Sequence, residues 1–317
     1  MNDKQGFYKH LYKKMLRTRF VETELQKLCL TGEAGDLHFN KGQEAISTGI
    51  IAALNPNDYI VTHHRTISHT LAKGTELKPL LAEILGRANG TNKGAAGEMH
   101  FRNPKVGHLF SFQIVGTCLP VAVGVAWSVK YFRKEQAIVA CFLGDASSSN
   151  AQFHEGMNIA AVKKVPLLIV CENNGLAGNI RAPVYLPVST VSERARGYGI
   201  QSQCIDGNDI IGVYEAAKEI TDIVRETQEP FFLECKTTRL CWHKQGQPDA
   251  RSKEELCELA KLDPIPRLGK YLQDKEKAEI EKEVEAEVKE SLEYALSSPW
   301  PSDKLESAEI EEQVVKR

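Results

Sequence analysis

Residues 137–174 constrain the fold of this chain most, because they alternate two buried runs with a helical pattern. The run from Ala137 to Leu143 is apolar and rich in β-favouring residues, and it stops at Gly144-Asp145, as a buried strand ending in a turn does. Residues 152–164 carry apolar side chains at helical spacing, and a second apolar run follows from Leu167 to Cys171. The pattern predicts a strand, helix, strand crossover.

Two polar residues follow these strands, Asp145 after the first and Asn174 after the second. Strands joined by a crossover are parallel, so both residues emerge at the sheet edge where open α/β sheets bind ligands. A carboxylate and an amide oxygen suit a hard cation such as Mg²⁺, and the turn at Ala146 and Ser147 offers backbone N–H groups to a phosphate. Each fragment alone is typical of an ordinary turn, but the pair around a crossover favours a metal-diphosphate site.

Composition is compatible with this interpretation. A chain of 317 residues with 42% hydrophobic residues can bury the core of one large α/β domain, and two smaller domains stay possible. A net charge of −2 argues against a nucleic-acid partner. Eight cysteines without CxxC pairs indicate free thiols in a reducing compartment. With no apolar run of membrane-spanning length and no targeting pattern at the N-terminus, we predict a cytoplasmic protein without a membrane partner.

Further along the chain, the patterns predict a helix over residues 7–31 and then the alternating strands and helices of a doubly wound sheet. We predict a mostly parallel sheet with helices on both faces. From Asp274 the composition changes to a charged helix with a thin apolar stripe, which must pack on another element. The predicted organisation is a main domain over residues 1–270 and a helical C-terminal extension over residues 271–317.

At this point the chain resembles a known family. The stretch from Gly144 to Asn174 is similar to the thiamine diphosphate fingerprint of alpha subunits in the two-chain 2-oxo acid dehydrogenase decarboxylating component. The resemblance covers most of residues 8–270 and is greatest to acetoin dehydrogenase alpha subunits, with pyruvate and branched-chain relatives close behind. Its other landmarks are DLHFNKGQEA, THHRTISHTLAKG, KGAAGEMH, IVGTCLPVAVG, FHEGMNIAA, ERARGYGI, LECKTTR and LDPIPRL.

The resemblance implies a thiamine diphosphate-binding fold in the main domain and a set of site residues. Metal ligands would be Asp145, Asn174 and the main-chain carbonyl of Leu176. Histidines in loops are more often structural than catalytic, but the resemblance implies catalytic roles for His38, His64 and His243. The implied cofactor-binding residues are His64, Arg65, Val115, Gly144, Asp145, Ala146, Ser147, Asn174 and His243.

Two departures from the family pattern bear on function. Ala146 replaces the last glycine of the fingerprint, which would cost cofactor affinity if that position requires a positive φ or a very close approach of the phosphate. Cys241-Trp242 replaces a smaller pair beside His243, and this change could reshape the substrate channel. His63, His69, His100 and His108 are interpreted as structural.

The implied activity uses thiamine diphosphate and Mg²⁺ to decarboxylate a 2-oxo acid oxidatively, or to cleave acetoin, with transfer of the acyl unit to a lipoyl group. The implied partners are a beta subunit, in a heterotetramer of two alpha and two beta chains, and a lipoyl-bearing acyltransferase. Two alternatives stay open. One is a thiamine diphosphate carboligase or lyase of the same two-chain architecture, and the other is a non-catalytic alpha-like scaffold.

Overall fold

A computed structural model describes residues 2–134, 136–244 and 247–302. Its central feature is a sheet of six parallel strands in the order β2-β1-β3-β4-β8-β7. The strands are β1 (Tyr59–His63), β2 (His108–Phe112), β3 (Val139–Gly144), β4 (Leu167–Asn173), β7 (Gln201–Asp206) and β8 (Phe231–Lys236). Two short strands, β5 (Leu176–Ala177) and β6 (Ile180–Arg181), form a separate antiparallel pair.

The helices are α1 (Asn2–Thr31), α2 (Glu44–Ala53), α3 (Ile67–Lys73), α4 (Leu77–Ile84), α5 (Cys118–Trp127), α6 (Ala151–Lys163), α7 (Ser192–Arg196), α8 (Ile210–Thr227), α9 (Lys253–Ala260), α10 (Pro264–Gly269) and α11 (Asp274–Ser297). The predicted crossover is confirmed as β3, α6 and β4. The predicted helix over residues 7–31 is also present, and it begins five residues earlier, at Asn2.

Both faces of the sheet are covered, because alternate side chains of each strand point in opposite directions. In β3, Cys141 and Leu143 join a buried cluster that includes residues of α5 and α6, such as Leu119 and Met157. Phe142, between them in sequence, joins a second cluster on the other face, with residues of α2 and α8. The predicted doubly wound α/β fold with helices on both faces is therefore confirmed.

The charged C-terminal helix packs on the first helix of the chain. Val284 and Val288 of α11 are fully buried in one apolar cluster with Leu11 and Met15 of α1, and residues of α4 complete it. The predicted stripe therefore does pack, and acids beside it, such as Glu283 and Glu287, pair with Lys13 and Arg17 of α1. The domain boundary at residue 270 stays a prediction, and residues 303–317 of the predicted extension lie outside the described residues.

The strand order places a switch point beside β1. From β1 the chain crosses to β2 on one side, and it then returns to place β3 on the other side of β1. The connections that leave β1 and β3 therefore diverge and open a crevice at the carboxyl ends of these strands. This crevice is where the predicted site residues should meet.

Other sequence predictions concern thiols and membranes. All eight cysteines are free, and Cys118, Cys141, Cys171 and Cys235 are buried. Among the described residues, no helix has the length and apolar character that a membrane crossing requires. The cytoplasmic location stays a prediction.

The packing of α11 can be tested by truncating its buried valines. We expect Val288→Ala to lower the free energy of unfolding by about 2 kcal/mol, because it removes buried methyl groups and leaves a cavity. Glu285→Ala, at an exposed position of the same helix, is the matched control and should change it by less than about 0.5 kcal/mol. Equal effects in chemical denaturation would contradict the packing of α11 on α1.

Candidate functional site

A cleft of about 580 Å³ opens at the carboxyl ends of β1, β3 and β4. Its position follows from the parallel pairing, which brings the three strand ends to one edge. The lining residues come from six separate segments of the chain. They are Gln43, His63, His64, Arg65, Val115, Gly144, Asp145, Ala146, Ser147, Glu172, Asn174, Leu176, Ala177, Gly178, Arg239 and His243.

Asp145 is the buried acid of this cleft. Its side chain is almost inaccessible, and it accepts a hydrogen bond from the Tyr185 hydroxyl. The backbone N–H of Asn174 also donates toward this carboxylate, so the two predicted metal ligands adjoin each other. Burial raises the pKa of Asp145 to about 6, although hydrogen bonds to the carboxylate, from Tyr185 and from the backbone N–H groups of Asp145 and Asn174, oppose the shift. A bound cation would reverse this effect, because it stabilises the ionised carboxylate.

Asn174 is oriented by hydrogen bonds at both ends of its amide. Its Nδ2 donates to Gln43 Oε1 at 2.7 Å, and its Oδ1 accepts from the backbone N–H of Leu176 at 3.0 Å. An amide oxygen has two lone pairs, so Oδ1 keeps one acceptor position for a cation. Asp145, Asn174 and the carbonyl of Leu176 offer oxygens of the kind that Mg²⁺ prefers, and their role as metal ligands stays a prediction.

The backbone at Ala146 does not require glycine. Residues Asp145–Ser149 form a 3₁₀ turn, and Ala146 lies outside the left-handed region. The conformational cost considered for alanine at this position is therefore absent. Ala146 and Ser147 line the cleft at the start of this turn, whereas α6 begins only at Ala151 and has its own cap, the Asn150 side chain.

Two arginines supply positive charge to the cleft. Arg65 is buried, and its guanidinium donates to the carbonyls of Phe39 (2.8 Å) and His243 (2.7 Å). Arg239 donates to the carbonyls of Gly178 (2.9 Å) and Cys241 (3.2 Å). Burial, and then the other arginine, lowers the pKa of Arg239 to about 10, so both side chains stay cationic at neutral pH. Together they can bind an anion such as a diphosphate.

One glycine permits the loop that carries Arg239 to approach the loop that carries Gln43. Gly42 has a φ of 96°, and a Cβ atom there would come within 2.5 Å of the Thr238 carbonyl oxygen. The Leu240 N–H also donates to the Lys41 carbonyl at 2.8 Å. A side chain at position 42 would therefore separate the two loops and widen the cleft.

Three imidazoles cluster at the cleft. The ring of His38 lies 5.0 Å from that of His64 and 5.2 Å from that of His243, between centroids. Burial, with positive neighbours next in importance, lowers the pKa of His64 to about 2 and that of His243 to about 4. Both rings are therefore neutral at physiological pH.

The hydrogen bonds determine which nitrogen of two of these rings carries the proton. His38 Nδ1 lies 2.7 Å from the Glu98 carboxylate, so Nδ1 carries a hydrogen, and Nε2 of the neutral ring is an acceptor. His243 Nδ1 lies 3.1 Å from Arg65 Nη2, which can only donate, so His243 holds its hydrogen on Nε2. The cluster thus offers one proton acceptor and one neutral proton donor side by side.

Most of the predicted site residues meet in this cleft. His64, Arg65, Val115, Gly144, Asp145, Ala146, Ser147, Asn174, Leu176 and His243 all line it. His38 does not line the cleft, but its ring contacts those of His64 and His243, which do. The individual catalytic, cofactor and metal roles stay predictions.

Sequence reasoning missed other residues of the cleft. Gln43 and Arg239 were part of recognised landmarks but were given no role, and His63 was interpreted as structural although it lines the cleft. Tyr185, which donates to Asp145, lies in a stretch without a sequence signal. Trp242 is not a lining residue, and its ring lies 5.1 Å from the Arg251 guanidinium and 6.0 Å from that of Arg239.

The raised pKa of Asp145 predicts a pH dependence of stability. Because the folded-state pKa lies above the unfolded value, the protonated form stabilises the fold at low pH, and this contribution is lost between about pH 4 and pH 6. We compare Asp145→Asn with the parent chain in the presence of a chelator, which removes divalent metal ions. Between pH 4 and pH 6 we expect the free energy of unfolding of the variant to rise relative to that of the parent by roughly 2–3 kcal/mol. Asp206→Asn, at an exposed strand end, is the control. Parallel curves for the parent and Asp145→Asn would contradict the burial effect.

Comparison with known proteins gives consistent results. The family model described as "Dehydrogenase E1 component" matches residues 12–304. The chain is 35% identical over 300 residues to the alpha subunit of acetoin:2,6-dichlorophenolindophenol oxidoreductase from Bacillus subtilis, covering 92% of this chain and 90% of the relative. It is 34% identical to the alpha subunit of the pyruvate dehydrogenase E1 component from Zymomonas mobilis, covering 92% and 85%, and 31% identical to that from Porphyra purpurea, covering 92% and 89%.

Three observations support the same family. They are the fold, the polar residues at the ends of β3 and β4, and the comparisons with known proteins. The match spans nearly the whole chain, including every element that lines the cleft. The chain belongs to the dehydrogenase E1 component family, with alpha subunits of acetoin and pyruvate dehydrogenases among its relatives.

Proposed function

We propose that this chain is the alpha subunit of an enzyme that uses thiamine diphosphate and Mg²⁺ to decarboxylate a 2-oxo acid oxidatively or to cleave acetoin. The acyl unit passes to a lipoyl group on an acyltransferase. The observation that carries the proposal is that Asp145 and Asn174 line one cleft together with two arginines, Arg65 and Arg239. It combines an oxygen donor set for Mg²⁺ with cations for a diphosphate.

The residues fit the cofactor and the metal. Asp145, Asn174 and the Leu176 carbonyl would hold Mg²⁺, and the burial that disfavours the Asp145 charge makes a cation favourable there. Arg65, Arg239 and the backbone of the Ala146–Ser147 turn would hold the diphosphate. When bound, thiamine diphosphate supplies a carbanion that adds to carbonyl carbons and stabilises the resulting negative charge.

The chain's own contribution to chemistry is proton placement. His243 holds a hydrogen on Nε2 while Arg65 occupies its Nδ1, so it can donate a hydrogen bond to an oxygen that gains charge as a substrate carbonyl is attacked. His38, with Glu98 on Nδ1, presents Nε2 as an acceptor for a proton. The ring of His64 lies 5.0 Å from that of His38, and its lowered pKa keeps it neutral, so it adds no positive charge to the site.

The partner proteins follow from the family. We propose a beta subunit that completes the active site, supplies a glutamate to the cofactor's aminopyrimidine ring and assembles with this chain into a heterotetramer of two alpha and two beta subunits. Support comes from the alpha-subunit names of the relatives. On this proposal the alpha chain alone is inactive.

A carboligase or lyase of the same architecture is the second candidate. Cys241 and Trp242 favour it, since this pair departs from the family pattern and lies directly behind a cleft arginine. Trp242 faces the Arg239 guanidinium, and the Cys241 carbonyl accepts from Arg239 Nε at 3.2 Å. A scaffold without cofactor is less well supported, because Ala146 lies outside the left-handed region and a positive φ is therefore no obstacle to cofactor binding there.

Dye reduction by this chain, co-expressed with its beta subunit, tests the proposal. With thiamine diphosphate and Mg²⁺ present, we expect reduction with acetoin, pyruvate or 2-oxoisovalerate, and loss of at least about 100-fold in activity in Asp145→Ala, because the metal loses its anionic ligand. Asp206→Ala, an acid at the carboxyl end of β7 that is paired with Arg267 outside the cleft, is the matched control and should retain activity.

The other outcomes distinguish the candidates. A hydroxyketone product without dye reduction, with cofactor bound, would support the carboligase. Failure of the assembled subunits to bind thiamine diphosphate would support the scaffold and reject the proposal.

A further inference from the structure

A buried acid and two histidines lie immediately behind the cleft. Glu172, on β4, contacts His63 Nε2 through Oε2 at 2.9 Å and His69 Nε2 through Oε1 at 2.8 Å. His63 ends β1 and His69 lies in α3, so this group, the Glu172 cluster, links three elements. Burial alone would raise the pKa of Glu172, but the two histidines lower it below its usual range. The Glu172 carboxylate is therefore ionised, and each of its oxygens has a histidine partner.

The remaining nitrogens of both rings contact the backbone of a single residue, Arg65. Its N–H donates to His63 Nδ1 at 3.2 Å, and its carbonyl accepts from His69 Nδ1 at 3.2 Å. Asn40 Nδ2 donates to the same carbonyl at 2.7 Å. Both backbone groups of Arg65 are thus held by side chains whose own positions depend on Glu172.

The same contacts argue against a metal ion within the cluster, although its three ligand atoms lie within 4.8 Å of one another. His63 Nδ1 accepts the Arg65 N–H, so its hydrogen is on Nε2, the atom that would have to bind a metal through a lone pair. Moving this hydrogen to Nδ1 would place it against the N–H of Arg65. The arrangement instead suits hydrogen bonds to Glu172.

The Arg65 side chain connects the Glu172 cluster to the cleft. Its guanidinium binds the carbonyls of Phe39 and His243 and the His243 ring. With the Arg65 backbone held by the Glu172 cluster, the guanidinium and the His243 tautomer that depends on it are both oriented before any ligand binds.

We propose that His63 is a positioning residue. Its hydrogen bond to Glu172 fixes the ring, and its hydrogen bond to the Arg65 backbone then orients the guanidinium that binds the cofactor diphosphate. This inference rests on the proposed function and deepens it. His63 lines the cleft, but its two ring nitrogens are both occupied, by Arg65 and Glu172, and its role is exerted through Arg65.

Substitutions can separate the two hydrogen bonds of His63. Asparagine places an acceptor near the former Nδ1 and retains the Arg65 contact, whereas glutamine places a donor near the former Nε2 and retains the Glu172 contact. We expect His63→Gln to raise the apparent Kd of the complex for thiamine diphosphate about tenfold, because a buried N–H of Arg65 loses its acceptor. His63→Asn should raise it less, and His63→Leu at least as much as His63→Gln.

His108→Gln is the matched control. His108 is a fully buried histidine that bonds Thr62 (3.2 Å) and Thr70 (3.1 Å), on the same β1 and α3, without contacting Arg65. The experiment measures the Kd for thiamine diphosphate by titration of the co-expressed alpha–beta complex, together with its melting temperature without cofactor. We expect His108→Gln to lower the melting temperature while leaving the Kd within about twofold of the parent value.

Each outcome is decisive. A selective rise of the Kd in His63→Gln, above that in His63→Asn and His108→Gln, supports the proposal. Equal Kd values for the parent and His63→Gln, or equal rises in His63→Gln and His108→Gln, overturn it while leaving the proposed function intact. One tightly bound metal ion per chain that is lost in His63→Gln also overturns it. If the parent complex binds no thiamine diphosphate, the proposed function fails and this inference fails with it.

Discussion

The parallel pairing of β1, β3 and β4 is the constraint on which the site depends. Parallel strands end at the same edge, so residues 63, 145 and 174 meet there although long crossovers separate them in sequence. The pairing is stabilised on both faces by buried side chains that alternate along each strand, such as Cys141 and Phe142. The apolar core therefore determines where the polar site forms.

At this edge of the sheet, a buried carboxylate lies in the same cleft as two guanidinium groups. Asp145 is buried with hydrogen bonds, no described residue forms an ion pair with it, and this environment raises its pKa. Arg65 and Arg239 remain cationic, while His64 and His243 stay neutral because burial, and after it neighbouring histidines and arginines, lower their pKa values. A diphosphate bound to a divalent metal complements this distribution of charge, since each component faces residues of opposite sign.

Hydrogen bonds behind the cleft make this arrangement rigid. Arg65 is bound at its backbone by His63, His69 and Asn40, and at its guanidinium by Phe39 and His243. Buried polar networks of this kind specify one geometry, because each member left without a partner would be costly. The contribution of Glu172 therefore lies in holding residues from three elements in a fixed relation rather than in the net strength of its ion pairs.

The sequence by itself determined the elements and much of the site. The period of the apolar residues predicted β3, α6, β4 and the buried stripe of α11, because burial of alternate or helically spaced side chains is a local property of the chain. Resemblance to a family identified ten of the lining residues. Only the tertiary structure showed that Tyr185 donates to Asp145, that Ala146 needs no positive φ, and that His63 joins Glu172 and His69 behind Arg65. The contacts of Tyr185 with Asp145 and of His63 with Glu172 join residues far apart in sequence, so hydropathy and spacing carry no signal for them. They are decided by how whole helices and strands pack together.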